Sequence, residues 1–220
     1  MNEIKKIITI NTINKNIELF LQENDILIDK IVMEDNNSQA ELLVCLIEDL
    51  LKRNNLDYKN LDYISIINGP GSFIGLKTSL SVVKAMKVAL NIPVVCSSLF
   101  DIISYKKDFD FVVLKGDFNS YYVEDKNKNY FYVKKDEIND FIKNIKSVIL
   151  TNNNQIVEEL KNFNIKLSPY LIENVIKINY EKVVKNDLCS NIKALYIKLP
   201  DVNTKKYEER ISLIKHKMVN

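Results

Sequence analysis

The sequence predicts an α/β protein of two lobes, each a mixed sheet with helices on its faces. Three observations predict it. Three β-rich runs lead into alternating helix and strand patterns over the first half of the chain, and the same succession restarts in the second half. Three of the four glycines in 220 residues are gathered in one stretch, Asn68–Gly75, lodged between a strand pattern and a helix pattern.

The elements follow in order. Lys6–Thr12, Asn16–Gln22 and Asp25–Met33 are β-rich and separated by short polar turns. Gln39–Arg53 is an apolar-rich helix, and Leu61–Ile67, Leu76–Leu90 and Ile92–Cys96 read as strand, helix and strand. The second half has strands at Phe111–Lys115, Ser120–Asp125 and Tyr130–Lys134. A helix near Asp136–Asn144, a strand at Ser147–Thr151 and a helix at Gln155–Phe163 follow. Pro169 precedes a further helical stretch, Ile172–Lys185, and Ile192–Leu199 is apolar enough to bury a closing segment. Residue identities do not repeat, so the duplication is architectural and no short-period solenoid is implied. A three-stranded meander feeding right-handed β-α-β crossovers makes a mixed sheet. Two such lobes face each other in the actin-like, Hsp70-like and sugar-kinase (ASKHA, RNase H-like) architecture. The expected lobes are residues 1–104 and 105–220, parted near Ser97–Asp108, with the last segment free to pack back on the first lobe.

A 46% hydrophobic content is ample for a core, and the net charge is only +2. Only two of the 31 basic residues are arginines, Arg53 and Arg210. Nucleic-acid readers draw on arginine forks and a stripe of one sign, so direct RNA binding by this chain alone is disfavoured. Cys45, Cys96 and Cys189 are odd in number, widely separated and outside any Cys-x-x-Cys. They read as unpaired core or surface residues in a reducing cytosol. Neither a leader pattern nor an apolar run of spanning length is present, so a cytoplasmic location is expected.

Glycine so scarce and so clustered implies a specially shaped backbone at Gly69-Pro70-Gly71-Ser72 and Gly75, with Gly71 or Gly75 at positive φ or a close approach. The loop runs into a helix start, where unpaired N–H groups favour anions. Phosphate or carboxylate binding is one reading; a tight strand-to-helix connection without ligand is the other. The stretch has neither the Walker ending nor a complete Gly-x-Gly-x-x-Gly.

Enzymes of this architecture hold a metal-nucleotide with a carboxylate at the end of the first strand, where this chain has Asn11. An amide cannot supply that charge. The only histidine, His216, reads as a solvated side chain near the carboxyl end, so paired-histidine metal sites and Ser-His-Asp relays are not available. Asp117 is the best-placed carboxylate, either shaping the cleft between lobes or serving as a turn residue. No metal or cofactor is expected.

The two helices flanking the loop say more. Residues 40–51 are apolar over far more than one sheet-facing stripe, among them Leu43, Leu46, Ile47 and Leu50. In Leu76–Leu90, Thr78, Ser81, Ala85 and Ala89 set small side chains three or four residues apart, next to Val82 and Met86. Either the helices pack only on each other and their own sheet, or they form a protein–protein interface.

Asn68-Gly-Pro-Gly-Ser-Phe-Ile-Gly-Leu-Lys77, followed by Ala85-Met-Lys-Val-Ala-Leu-Asn-Ile-Pro-Val-Val-Cys-Ser-Ser-Leu99, closely resembles the bacterial TsaB (YeaZ) family of tRNA threonylcarbamoyladenosine biosynthesis proteins. That family carries Gly-Pro-Gly-Ser-Phe-Thr-Gly-Leu-Arg, a helix, Leu-Pro and Ser-Ser-Leu. Ile8–Thr12, Gln39–Leu43 and Ala194–Asp201 match its opening strand, first helix start and closing pattern. The likeness is strongest over residues 61–99 and carried only by the element pattern over 126–190. The resemblance implies a non-catalytic relative of TsaD, the subunit that transfers the threonylcarbamoyl group to the adenosine beside the anticodon. It implies a heterodimer with TsaD, joined by the ATPase TsaE, and a homodimer through the same amino-terminal helices, with tRNA contacted mainly through the complex. Asn11, Gln39, Ile74 and Lys77 stand where the family has aspartate, histidine, threonine and arginine, which puts any nucleotide contact in doubt. The competing expectation is a small-molecule kinase or ATPase of the same fold, with Thr12, Ser72 and Asp117 around a phosphate.

Overall fold

The structure, a computed structural model, describes residues 4–14, 16–34, 39–144 and 146–198. It contains two five-stranded mixed sheets. In the first, β1 (Lys6–Asn11) is central, with β2 (Asn16–Glu23) and β3 (Ile26–Glu34) antiparallel on one side. On its other side lie β4 (Tyr63–Ile67) and β5 (Val94–Ser97), both parallel. The order is β3-β2-β1-β4-β5. The second sheet repeats it around β6 (Phe111–Lys115), with β7 (Ser120–Asp125) and β8 (Tyr130–Lys134) antiparallel and β9 (Val148–Thr151) and β10 (Asn164–Leu167) parallel. β6 to β9 thus take the places of β1 to β4, as the duplicated sequence pattern predicts, and β10 takes that of β5, which the pattern did not show.

Burial follows from cover. β1 reads Lys-Ile-Ile-Thr-Ile-Asn without alternation because both of its faces are covered. One face carries α1 (Gln39–Arg53) and α2 (Phe73–Leu90), whose Leu43, Ile47, Leu50, Leu76 and Val83 join Ile8 and Ile10 in the main core. The other face carries α6 (Ile172–Val184), which follows the second sheet in sequence yet lies on the first. Its wholly buried Asn179 donates to Thr9 Oγ1 at 2.8 Å and Gln22 Oε1 at 3.1 Å and accepts from Ser65 Oγ at 2.7 Å. Gln22 Nε2 in turn donates to the Ile176 carbonyl at 3.0 Å. Every member is satisfied, so the network fixes the register of α6 over three strands where an apolar face alone would let it slide.

The smaller elements depart from the sequence reading. α2 starts at Phe73 because Ser72 caps it, its hydroxyl accepting from Gly75 N at 3.3 Å. α3 (Leu99–Ser104) occupies the expected lobe boundary, opened by a Ser98–Asp101 capping box. α4 shrinks to Ile138–Phe141 and α5 to Asn154–Glu159. β10 was not expected at all, since its four residues are mostly exposed and show no alternation.

One expectation is corrected, and the glycine expectation is met at Gly71 and not at Gly75. Cys96 and Cys189 are joined in a disulfide, with Cα atoms 5.8 Å apart across 93 residues of sequence, and only Cys45 is free. Gly75 sits in the first turn of α2 and does not carry the positive φ, which belongs to Gly69 at +119°. Gly71 is a close approach: a Cβ there would lie 2.5 Å from the Ile13 carbonyl oxygen. The Gly69–Pro70 peptide is cis. Among the described residues, no helix is long and apolar enough to cross a membrane.

Candidate functional site

Two concavities bear on function. The first is an apolar groove of about 340 Å³ between α1 and α2. Ile47 and Met86 form its floor, both almost wholly buried. Val44 on one wall, 48% exposed, faces Val82, Ala85 and Ala89 on the other, and Tyr58 and Leu90 complete the lining. The small side chains of α2 keep that wall low, and Ala85 and Ala89 on it are exposed. Of the residues singled out in the sequence, Ile47, Val82, Ala85, Met86 and Ala89 come together here. Leu43 and Leu50 do not, being fully buried against the sheet, as the third- and fourth-spaced positions of a sheet-facing stripe must be. Leu46 packs at the core margin, Thr78 is half-buried outside the groove, and Ser81 is exposed with its hydroxyl donating to the Lys77 carbonyl at 2.8 Å. The sequence reading missed Val44, Tyr58 and Leu90; Val44 could have been found by removing the sheet-facing stripe from α1 and asking what apolar residue remains.

The second is the cleft between lobes, about 460 Å³, lined in part by Gly71 and Ser72 from the glycine loop and by Lys115, Asp117 and Asn153 opposite. Its candidate phosphate ligands are largely committed elsewhere. Thr12 is buried and donates to the Gly75 carbonyl at 2.7 Å. Ser72 caps its own helix, and its N–H donates to the Ile13 carbonyl at 2.6 Å. Asp117 accepts from Ser120 Oγ at 2.6 Å, Tyr132 OH at 2.7 Å and Lys198 Nζ at 3.0 Å. The Ser120 and Tyr132 hydroxyls and the Lys198 ammonium hold its carboxyl well below the usual carboxylate range, making it a poor proton acceptor.

Asn11 lies 2% exposed at the end of β1. Its amide nitrogen donates to Glu18 Oε2 at 2.6 Å and to Tyr170 OH at 3.3 Å, and its Oδ1 accepts from Ile13 N at 3.1 Å. Tyr170 OH donates to the same Glu18 oxygen at 3.0 Å; burial, with Glu18 beside it, pushes this phenol far up. The position that holds a metal-binding carboxylate in enzymes of this architecture is therefore a donor to a carboxylate. Glu18 was overlooked in the sequence, although a charge between Ile17 and Leu19, facing Asn11 across the β1–β2 ladder, was a readable signal.

Residues 193–198 run from one lobe to the other. Leu195 N donates to the Asn68 carbonyl at 2.8 Å, the Tyr196 ring lies 5.6 Å from that of Phe73, and Lys198 reaches Asp117. Of the cations weighed for RNA contact, Arg53 is bound bidentately to Asp29 at 2.8 and 2.9 Å, tying α1 to β3. Arg210 and His216 lie outside the described residues, as does the end of the matched stretch Ala194–Asp201. Among the described residues, no cluster of His, Cys, Asp and Glu could hold a metal ion.

A family model described as TsaD, tRNA N6-adenosine threonylcarbamoyltransferase, matches residues 35–205. Two curated proteins named tRNA threonylcarbamoyladenosine biosynthesis protein TsaB, both from Buchnera aphidicola, are similar over short segments. The one from subspecies Baizongia pistaciae is 33% identical over 64 residues, 29% of this chain and of that protein. The one from subspecies Acyrthosiphon pisum is 28% identical over 61 residues, 28% of each. The match thus spans under a third of the length of either relative. A solved structure from Pseudomonas aeruginosa, described as an uncharacterized protein with similarity to peptidase YEAZ, shares the fold. Its TM-score is 0.68 at 15% identity, with 88% of this chain and 100% of that one covered.

Proposed function

This chain belongs to the TsaD family, as a member of its TsaB/YeaZ group, and from that premise we propose that it is a non-catalytic, cytoplasmic subunit of the machinery that forms threonylcarbamoyladenosine in tRNA. Its work is to bind TsaD through the α1–α2 groove and hold it in a transfer-competent state, with the ATPase TsaE joining that complex. Transfer RNA is then met mainly through the complex, and without TsaD two copies of this chain pair through the same face.

The observation that carries this reading is the groove. An apolar floor with exposed valine and alanine walls is surface that a helix of a partner would remove from water. The cleft supports the same reading from the other side, because Thr12, Ser72 and Asp117 are engaged in hydrogen bonds that build the fold and Asn11 donates where a metal would need a carboxylate.

Ala85→Glu tests it. The carboxylate would be buried unpaired under a docked helix, at a cost of about 3 kcal/mol, or about a hundredfold in Kd. Sedimentation should show both TsaD binding and self-association lost while circular dichroism stays native. Unchanged association of the variant with TsaD and with itself would place the interface elsewhere. Robust ATP turnover by the isolated chain, lost in Ser72→Ala or Asp117→Ala, would favour the kinase reading instead.

A further inference from the structure

The groove has a candidate occupant within the same chain. Lys198, the last described residue, is held near the amino-terminal end of α2 by Asp117, with Tyr196 against Phe73. The sequence then continues through residues 199–220. In that stretch Tyr207, Ile211, Ile214 and Met218 recur at steps of four, three and four, the spacing that puts apolar side chains on one helical face. By the same period Lys206, Arg210 and Lys217 fall together on one flank of that face. The groove offers the complement: an apolar floor, and along α1 a rim bearing the exposed carboxylates Glu41 and Glu48 on either side of Val44, Glu48 being paired with Lys52 at 2.5 Å.

The lengths agree. From Phe73, the groove begins at Val82, about 13 Å down α2, and ends at Leu90, about 25 Å down. Residues 199–206, if extended, reach about 26 Å, enough to cross the exposed face of α2 to the near end of the groove. Residues 207–218 in helical form span about 17 Å, which covers the remaining length.

We propose that the carboxyl-terminal segment, through Tyr207, Ile211, Ile214 and Met218, occupies the α1–α2 groove of its own chain and competes with the partner that docks there. Occupancy by the segment stands on the groove and the sequence; the competition rests on the function proposed above.

The test uses full-length protein carrying Ile211→Asp and Ile214→Asp, which disables its own segment, and a fluorescent synthetic peptide of residues 203–220. Anisotropy should show saturable binding, at least tenfold weaker when Ala85→Glu is added, weaker at high salt, and at least tenfold weaker again to the wild-type chain, whose own segment competes. Circular dichroism checks that each variant is folded. Absence of saturable binding, or binding indifferent to Ala85→Glu, overturns the inference. Sedimentation of the Ile211→Asp, Ile214→Asp chain should show self-association at least tenfold tighter than wild type; weaker self-association would mean that the segment bridges two copies, and would overturn occupancy within one chain. If the peptide binds the groove but Ala85→Glu leaves TsaD binding and self-association intact, the partner reading fails and segment occupancy stands. If Ala85→Glu abolishes association while the peptide ignores the groove, only the present inference fails.

Discussion

Replacing Gly71 by alanine adds one methyl group, and the structure sets what it meets. The new Cβ would lie 2.5 Å from the Ile13 carbonyl oxygen, 2.6 Å from Ile13 Cβ and 3.0 Å from the Ile13 carbonyl carbon. Two of these are backbone atoms of a residue only 2% exposed, and they cannot swing aside as a side-chain tip would. Ile13 is also held from both ends: its N–H donates to Asn11 Oδ1 at 3.1 Å, and its carbonyl accepts from Ser72 N at 2.6 Å. Relief requires the loop and the end of β1 to part, which strains the packing by about 1–3 kcal/mol and loosens a hydrogen bond worth about 1 kcal/mol. A loss of about 3 kcal/mol lowers the melting temperature of a chain this size by about 6–12 °C. Urea titration should show a lower midpoint at an unchanged slope, the mark of a stability loss without a change in the unfolded state. Ser72→Ala, one residue on, removes a cap whose bond is already long and should cost only about 1 kcal/mol. If Gly71→Ala melts like wild type, or Ser72→Ala is the more damaging of the two, the glycine is not there for close approach and the account of the loop fails.

Asn11→Asp should destabilise the protein at neutral pH, because a second carboxylate, on a buried residue, would face the half-buried Glu18 at the present 2.6 Å. Two like charges so close raise the pKa of the pair, so the loss, about 2–4 kcal/mol, should appear as pH rises through the pair's folded values and shrink in acid; a variant equally stable at pH 5 and pH 8 would contradict this. Asp117→Asn should cost about 1 kcal/mol in the region where the carboxylate is charged, a figure kept small because Asp117 and Lys198 are both partly exposed. Its pKa is depressed below the ordinary 3.8, so its contribution is present above that value and is lost as pH falls through the folded value. Thermal melts of variant and wild type should therefore converge in strong acid, and a gap that persists there would show that the carboxylate charge is not what holds Tyr132 and Lys198.

What the sequence made legible was whatever depends on local period. The repeated meander, the crossover helices and the equivalence of β6–β9 to β1–β4 follow from alternation and helical spacing, and so does the excess of apolar surface on α1 that leaves Val44 outward after Leu43 and Leu50 have been taken by the sheet. What stayed hidden depends on partners distant in the chain. The Cys96–Cys189 bond joins residues 93 apart. The seat of α6 on the first sheet is set by Asn179, whose partners Thr9, Gln22 and Ser65 come from three different strands. No window along the chain contains both halves of either contact.

Asn11 shows why this matters for function. Read alone, it is a lost carboxylate, and a loss predicts only that something no longer happens. Read with Glu18 and Tyr170, it is a replacement in which a donor has taken the acceptor's place and a neighbouring strand supplies the charge it binds. The cleft is thus tied up by hydrogen bonds within the protein, whereas the α1–α2 groove has apolar walls with nothing among the described residues to cover them. Of the two concavities, the groove is the one whose lining is almost wholly apolar and is not engaged in hydrogen bonds within the protein.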